Sequence, residues 1–271
     1  MITYNYFQAF VIGCCIGSFL NVIVYRLPNN LSIIKPGSFC PKCKNKLTWK
    51  ENIPLISWLI QRGKCIKCNT SISIKYPLVE LATGILFVFF INSSPSIYSS
   101  SSGSLLNIFI SWIFLSLLIC ISLIDINKFW IPQGLINFGF ISGLFGLISN
   151  EKSIDKFIDL FFISKGVITA AISFLLFESL RYFAKYIYKK DAIGKGDSKL
   201  VAMIALWLGP IGTVLAVGLS YVIAAIYCLI GLSTNFLKFR EMIPFAPFLS
   251  IGGLIVWYLG NEFIFEKILH I

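Results

Sequence analysis

Four of the eight cysteines form two pairs with the same spacing, Cys40 with Cys43 and Cys65 with Cys68. Each C-x-x-C segment offers two thiolates on one tight turn, and two such segments can close the tetrahedral site that structural zinc prefers. A lasting disulfide is the alternative, but it requires an oxidising compartment. Lysines flank both pairs and favour the thiolate form. The spacing therefore predicts a zinc site made of these four cysteines.

Two aspartates, Asp125 and Asp197, stand at the ends of apolar stretches, where an ionisable side chain is unfavourable and therefore informative. No basic residue within one turn before Asp125 offers it a partner. Two close carboxylates can hydrolyse a peptide bond, because one keeps its proton while the other takes a proton from the attacking water. The single histidine, His270, lies next to the last residue and argues against a Ser-His triad. We therefore expect an aspartic dyad.

Asp197 belongs to the polar segment Gly194-Lys195-Gly196-Asp197-Ser198-Lys199, which separates a basic stretch from an apolar one. Gly194 and Gly196 would allow positive φ angles and a close approach of a ligand to the carboxylate. The alternative is a flexible loop in which Asp197 merely caps the next helix. The second aspartate of the chain favours the interpretation as a site.

Three other ionisable residues fall in or next to apolar stretches. Glu178 and Arg181 are one helical turn apart, and we expect them to neutralise each other. Glu80 could form a hydrogen bond to a neighbouring helix or could help to shape a site, and the sequence leaves both open.

The composition indicates what must position these residues, since 57% of the chain is hydrophobic and only 13% is charged. That balance predicts an all-α polytopic membrane protein. Apolar runs long enough to span a membrane predict about eight transmembrane helices, near residues 6–25, 78–92, 105–124, 131–149, 164–184, 199–211, 212–232 and 243–260. The sixth and seventh runs are short and meet at Gly209-Pro210-Ile211-Gly212. They are compatible with two helices and a tight turn or with a re-entrant pair.

The basic residues predict the orientation, because Lys and Arg in short loops stay on the cytoplasmic side. With the N-terminus outside, all but four of the 23 basic residues lie inside, the exceptions being Lys152, Lys156, Lys165 and Lys267. Asp125 and Asp197 then lie at the same depth, at the cytoplasmic boundary. The net charge of +11 is explained by this topology, so we expect no binding of nucleic acid.

This topology also predicts the domain organisation. Residues 1–26 form the first transmembrane helix, residues 27–77 a small cysteine-rich cytoplasmic domain with a zinc site, and residues 78–271 a membrane-embedded domain that carries both aspartates. The first apolar run lacks a basic start and a small-residue cleavage site. We therefore expect it to be a retained span and not a removed signal peptide.

Five motifs in order along the chain resemble the signatures of prepilin peptidases, the type IV leader peptidase family of membrane aspartic proteases with a G-x-G-D motif. They are Gly17-Ser18-Phe19-Leu20-Asn21-Val22 with Tyr25-Arg26-Leu27-Pro28, the two cysteine pairs with Asn52-Ile53-Pro54 between them, Tyr76-Pro77-Leu78-Val79-Glu80, Gly194 to Lys199, and Ile243-Pro244-Phe245-Ala246-Pro247-Phe248. The resemblance covers nearly the whole chain.

The resemblance implies that Asp125 and Asp197 are the catalytic pair, and we expect Gly194, Gly196 and Lys199 of the same motif to contact the substrate. Family members typically carry further acids where this chain has Asn127 and Gln133. Those two positions should therefore not be needed for hydrolysis.

The resemblance further implies an activity and a location. The substrates would be type IV prepilins or pseudopilins, cleaved at the cytoplasmic face of the bacterial inner membrane. Family members commonly also methylate the new N-terminus with S-adenosylmethionine, and the cysteine-bearing loop usually accompanies that activity. No Gly-rich nucleotide loop is present, so the methyltransferase activity is implied by the resemblance alone.

Two other functions are compatible with parts of the sequence. An ion-coupled transporter would use the paired aspartates to bind cations and the Gly-Pro break as an unwound helix, but it leaves the cysteine loop unexplained. A membrane-anchored zinc module that binds a partner leaves both aspartates without a role.

Overall fold

The computed structural model describes residues 5–91, 105–149, 156–189, 194–239 and 241–260. Within these ranges the chain is helical, apart from turns, two isolated β-bridges and short 3-10 segments. The α-helices are α1 Tyr6–Arg26, α2 Ile56–Ile60, α3 Lys75–Phe89, α4 Leu105–Lys128, α5 Gln133–Ser149, α6 Lys156–Tyr188, α7 Lys195–Ser233 and α8 Ala246–Leu259. His270, Lys152 and Lys267 lie outside the described residues.

The chain forms two compact units, Met1–Ile91 and Asn92–Ile271. The first unit contains α1 to α3 with the cysteine-rich segment, and the second contains α4 to α8 with both aspartates. The finer division into residues 1–26, 27–77 and 78–271 stays a prediction.

Four helical segments are long and apolar enough to cross a membrane, namely Tyr6–Asn29, Leu105–Lys128, Ile163–Ile187 and Lys195–Ser233. Gln133–Ser149 and Ala246–Leu259 are apolar but shorter. The expected all-helical membrane architecture is therefore confirmed in outline, whereas the count of eight spans is not. Two of the eight predicted runs lie within α7, and three others coincide with helices of 15, 17 and 14 residues.

In the first unit, α1 packs closely against α3 through small residues. A Cβ added at Gly13 would lie 2.7 Å from Gly84 Cα, and one at Gly17 would lie 2.8 Å from Glu80 Cα. Small residues four apart on one helix face allow two backbones to approach in this way. The Asn21 side-chain amide joins the same two helices by donating to the Tyr76 carbonyl at 3.1 Å.

In the second unit, α4 and the first part of α7 are the most deeply buried elements. Leu115, Leu118, Ile121 and Ile124 of α4 have no exposed surface, and every residue from 200 to 208 in α7 is buried. A helix that is apolar on all sides can face lipid or lie inside a helix bundle, and the burial of these side chains shows that neighbouring helices cover both segments. These two segments therefore form the core of the unit.

Helix α7 is interrupted at Gly209, whose φ of 68° and ψ of −175° are not helical. In a straight helix Asp197 and Tyr221 would be about 36 Å apart. Instead, Tyr221 lies close enough to Asp197 for an electrostatic interaction, and adjacent glycines of α8 meet both halves of α7, Gly252 at Ala216 and Gly253 at Ile204. The chain therefore turns back at Gly209 and Pro210, and the two halves of α7 lie side by side. This agrees with the break that the Gly-Pro sequence predicted.

Three aromatic rings fix the relative positions of α4, α7 and α8. Phe114 stacks on Trp207 with a centroid distance of 4.7 Å, and both rings contact Trp257, whose indole N–H donates to Ser111. The three rings lie roughly three helical turns from Asp125, Asp197 and the start of α8, respectively. Helices aligned at the rings are therefore also aligned at the aspartates.

The contact between α8 and the second half of α7 makes a testable prediction. A Cβ on Gly252 would lie 2.4 Å from the Ala216 carbonyl oxygen, whereas a Cβ on Gly218 would meet no atom within 4 Å. We expect Gly252→Ala to lower the free energy of unfolding by about 1–3 kcal/mol, because backbone atoms would have to move. Gly218→Ala serves as the matched control and should be neutral or slightly stabilising. Thermal unfolding in detergent measures both, and equal midpoints would contradict this packing.

Candidate functional site

Asp125 lies near the C-terminal end of α4, with only 6% of its surface exposed. Its Oδ2 accepts a hydrogen bond of 3.1 Å from the backbone N–H of Ala246, the first residue of α8. A helix N-terminus presents unpaired N–H groups, and a carboxylate is a suitable partner for them. The predicted last signature of the chain thus supplies the amide that orients Asp125.

Asp197 lies in the first turn of α7, close enough to Asp125 for the two carboxyl groups to interact electrostatically. The structure therefore brings together the two aspartates that the sequence singled out, although 71 residues of chain separate them. Asp197 Oδ2 also accepts a hydrogen bond from the Gly194 N–H at 3.2 Å. The capping role considered as an alternative is thus present, and it coexists with the proximity to Asp125.

The glycines beside Asp197 behave differently from the prediction. Gly194 is extended with φ −68°, and Gly196 is part of helix α7, so the expectation of positive φ angles was wrong. Their role is steric. A Cβ at Gly196 would lie 2.8 Å from Ile131 Cβ, and one at Gly194 would lie 3.0 Å from Asp197 Oδ2. A side chain at Gly196 would therefore clash with Ile131, and one at Gly194 would have to displace the Asp197 carboxylate slightly.

Lys199 lies one turn after Gly196, and its ammonium group donates to Gln133 Oε1 at 2.5 Å. Gln133 begins α5 and also donates to Asn137 at 2.9 Å. The lysine thus links the start of α7 to the start of α5. Gln133 takes part in this contact even though it is not acidic. Asn127 is exposed and donates to the Leu123 carbonyl of its own helix.

Tyr221 and Phe245 lie near the aspartates, but the sequence did not identify either residue as a member of the site. Tyr221, from the second half of α7, lies within reach of the Asp197 charge, and its ring contacts Phe245 at a centroid distance of 5.3 Å. Phe245 directly precedes Ala246. Only the reversal of α7 brings Tyr221 to this end of the unit, and the Gly-Pro break was the one signal for it.

The predicted ion pair in α6 is confirmed, since Arg181 donates through two nitrogens to the carboxylate of Glu178. Glu80, in the first unit, is 8% exposed, and its Oε2 accepts a hydrogen bond of 2.8 Å from the backbone N–H of Leu55. Its position beside Gly17 also makes it part of the packing between α1 and α3.

The two cysteine segments have the same local geometry. In the first segment the Cys40 N–H donates to the Asn45 carbonyl, and the Cys40 carbonyl accepts from the Lys44 N–H. In the second segment Cys65 makes the same two hydrogen bonds with Thr70 and Asn69. Lys44 and Asn69 both have positive φ. An isolated antiparallel bridge closes each turn, Phe39 with Lys46 and Lys64 with Ser71. The cysteine-rich segment is therefore an internal repeat of two knuckles.

The four cysteine sulfurs lie within 4.8 Å of one another, and Cys40 Sγ is 3.8 Å from Cys68 Sγ. A tetrahedron with zinc–sulfur bonds of about 2.3 Å has edges of about 3.8 Å. A disulfide would need a much shorter separation, and all four cysteines are free. The tetrad can therefore bind a metal ion.

The charges of the cluster also fit a cation. The Thr70 hydroxyl and amide lower the pKa of Cys68 to about 6, and the Cys43 amide lowers the pKa of Cys40. The Asn45 amide lowers the pKa of Cys43, but desolvation and hydrogen bonds with the other thiols outweigh this effect and raise the pKa to about 11. With a pKa raised in this way, Cys43 stays protonated at neutral pH unless a cation offsets the neighbouring thiolates, and a divalent metal would supply that charge.

Comparison with known proteins gives consistent matches. Residues 11–93 match the family model described as Bacterial Peptidase A24 N-terminal domain, and residues 112–229 match the one described as Type IV leader peptidase family. A Prepilin leader peptidase/N-methyltransferase of Myxococcus xanthus (strain DK1622) is 36% identical over 199 residues, which are 73% of this chain and 55% of that protein.

Two relatives match over nearly their whole length. The Type 4 prepilin-like proteins leader peptide-processing enzyme of Escherichia coli O78:H11 (strain H10407 / ETEC) is 31% identical over 93% of both chains. A Prepilin leader peptidase/N-methyltransferase of Bacillus subtilis (strain 168) is 32% identical over 94% of both chains. No solved structure matches.

The geometry of the cysteine tetrad predicts the metal content of the protein. We expect purified protein to contain about one metal ion per chain, and Cys68→Ser to lose it, because three thiolates no longer close the tetrahedron. Cys228→Ser is the control, since Cys228 is free and lies outside the cluster. Elemental analysis of both proteins tests this, and wild-type protein with a native fold but no metal would contradict it.

Proposed function

Because this chain belongs to the type IV leader peptidase family, we propose that it cleaves the leader peptides of type IV prepilin-like proteins and then N-methylates the new N-terminal residue. Matches over more than nine tenths of two relatives and in both family segments support this. The names of the Myxococcus xanthus and Bacillus subtilis relatives give both activities. An ion-coupled transporter or a non-catalytic zinc module has no comparable support.

Hydrolysis is assigned to Asp125 and Asp197, and the observation that supports it is their proximity within the second unit. One carboxyl group holds a proton, since two close carboxylates do not both ionise readily. The ionised partner takes a proton from water, whose oxygen attacks the scissile carbonyl carbon, and the protonated carboxyl donates to the developing oxyanion. When the intermediate collapses, the C–N bond breaks and the amine leaves with a proton from the dyad.

Neighbouring groups hold the two carboxylates in place for this reaction. The Ala246 amide fixes Asp125, and the Gly194 amide fixes Asp197. Trp207 packs against Phe114 and Trp257, and these contacts align α7 with α4 and α8. Positioning of this kind supplies much of the rate enhancement when the reacting groups are already oriented.

We assign the substrate contacts to Gly194 and Lys199, with Gly196 acting through Ile131. Gly194 is exposed and extended beside the Asp197 carboxylate, so a peptide backbone can approach there. Gly196 lets Ile131 pack directly against the first turn of α7. A branched side chain at either glycine would displace the carboxylate or that isoleucine.

The protein is assigned to the bacterial inner membrane, with its N-terminus outside and the aspartates at the cytoplasmic face. The four apolar helices and the family support membrane insertion, and the distribution of Lys and Arg supports the orientation. A prepilin whose positively charged leader is held inside would then present its scissile bond at the same face.

Two non-protein groups accompany this function. The residues Cys40, Cys43, Cys65 and Cys68 would hold a structural zinc ion, because a closed set of four thiolates leaves no open position for catalysis. S-adenosylmethionine would supply the methyl group, and the α-amine freed by hydrolysis would receive it.

The dyad makes the first prediction of this proposal. Asp125→Asn and Asp197→Asn should each lower the rate of cleavage by about 10²–10⁴-fold or more, because each removes one proton-transfer group. Asn127→Ala is the matched control, since its side chain is exposed and bonds only its own helix. The assay is cleavage of a prepilin-like precursor by purified protein in detergent. Normal turnover by either aspartate variant would contradict the dyad.

The order of the two reactions makes the second prediction. Methylation needs a free α-amine, which exists only after hydrolysis. An Asp197→Asn protein should therefore leave a full-length precursor unmethylated but should methylate a pre-cleaved one at close to the wild-type rate. Transfer of labelled methyl groups to the two substrates measures this. Loss of methylation on the pre-cleaved substrate would argue against two separable sites.

A further inference from the structure

The first unit contains a pocket of about 410 Å³ that the proposed hydrolysis does not use. It is formed by α1, the beginning of α3 and the cysteine-rich segment. Pockets of about 300–1,000 Å³ typically hold small molecules and cofactors. All of its lining residues belong to the first unit, so the pocket is complete without the aspartates.

The walls of the pocket combine aromatic rings with polar side chains. The lining includes the aromatic residues Tyr25, Phe39, Trp58 and Tyr76 and the amide-bearing residues Asn21, Asn52 and Gln61. Aromatic faces can stack with a planar base and attract a cation through their π-electrons. Side-chain amides can donate to and accept from the edge of a base.

A buried carboxyl group completes this lining. Glu80 is 8% exposed, and its one recorded hydrogen bond, from Leu55, occupies Oε2. In the described part of the chain no Lys or Arg nitrogen lies within 4.0 Å of it, since the one ion pair there is Glu178 with Arg181. A buried carboxylate without a positive partner is unfavourable, and a bound cation would relieve this.

The basic residues of the pocket do not serve this purpose. Arg26 is buried, and its guanidinium group donates to the carbonyl oxygens of Ser32, Ile33 and Gly37 at 2.9–3.2 Å while it faces the Phe39 ring. Lys42 also lines the pocket but is exposed. The buried wall therefore favours a cationic ligand and disfavours a phosphate.

We propose that this pocket binds S-adenosylmethionine, with the adenine between the aromatic rings and the sulfonium group beside Glu80. The inference rests on the proposed methyltransferase function and assigns it a site. The sulfonium is a cation carried by a nucleoside without phosphate, which matches the aromatic and acidic lining. A prepilin α-ammonium group is the other cation of the reaction, and the experiment below separates the two.

The charge of the ligand changes during the reaction. The amine nitrogen attacks the methyl carbon, the carbon–sulfur bond breaks, and its electrons stay on sulfur, while the nitrogen releases a proton. S-adenosylmethionine thus becomes S-adenosylhomocysteine, whose sulfur is neutral. The Glu80 carboxylate should therefore bind S-adenosylmethionine more tightly than S-adenosylhomocysteine, and a binding measurement can detect this difference without turnover.

The test measures equilibrium binding of S-adenosylmethionine and S-adenosylhomocysteine to the full-length protein in detergent. Glu80→Gln keeps the shape and should weaken binding of S-adenosylmethionine about tenfold or more, while binding of S-adenosylhomocysteine changes less than about threefold. Tyr76→Leu, which removes one ring of the wall, should weaken both. Glu241→Gln makes the same charge change in the second unit, where Glu241 accepts from the Lys238 N–H, and should alter neither.

Cleavage of the precursor serves as the test of folding, and we expect both pocket variants to retain it. Unchanged binding of S-adenosylmethionine in Glu80→Gln and Tyr76→Leu would overturn the site, as would an equal loss of both ligands in Glu80→Gln. Weakened binding of a pre-cleaved prepilin peptide alone would assign the pocket to the α-ammonium group instead. If the wild-type protein cleaves but neither binds S-adenosylmethionine nor methylates, the proposed methyltransferase function itself fails.

Discussion

The hydrogen bond from the Ala246 N–H to Asp125 is the contact on which the arrangement of the second unit depends. It places a buried carboxylate from α4 at the N-terminus of α8, where the helix dipole is favourable to negative charge. At the other end of the same helices, Phe114, Trp207 and Trp257 pack against one another. The polar contact and the aromatic cluster together fix how α4, α7 and α8 align, and this alignment brings Asp197 to Asp125.

The first unit is stabilised by other interactions, among them polar contacts and a cysteine tetrad that can bind a metal ion. Its cysteine-rich segment has few buried apolar side chains, and within the described residues Cys40 and Cys65 are its buried hydrophobic members. A segment of this kind gains much of its folding free energy from a bound metal. The two knuckles, Arg26 with its three carbonyl partners, and Glu80 with the Leu55 amide then shape a pocket whose walls are polar and aromatic.

Each unit thus contains a carboxyl group that an apolar environment would not tolerate without a specific partner. Asp125 has a helix N-terminus and a second aspartate, and Glu80 has one backbone amide and an open pocket. In both cases the unusual environment is the physical reason to infer a function, because packing alone would be served better by an apolar side chain.

The sequence by itself determined the features that depend on short spacings and on residue type. The C-x-x-C pairs predicted the tetrad because each pair lies on one turn, the ion pair of Glu178 and Arg181 follows from one helical turn, and the two isolated aspartates marked the candidate dyad. The tertiary structure decided the rest. Hydropathy could not fix the number of spans, because the apolar run that follows Lys199 continues to residue 233 and reverses only at Gly209. The positions of Tyr221 and the Ala246 amide beside the aspartates, the contact of Gly196 with Ile131, and the pocket around Glu80 all join distant parts of the chain. Such contacts depend on how helices pack, and no local pattern of residues encodes them.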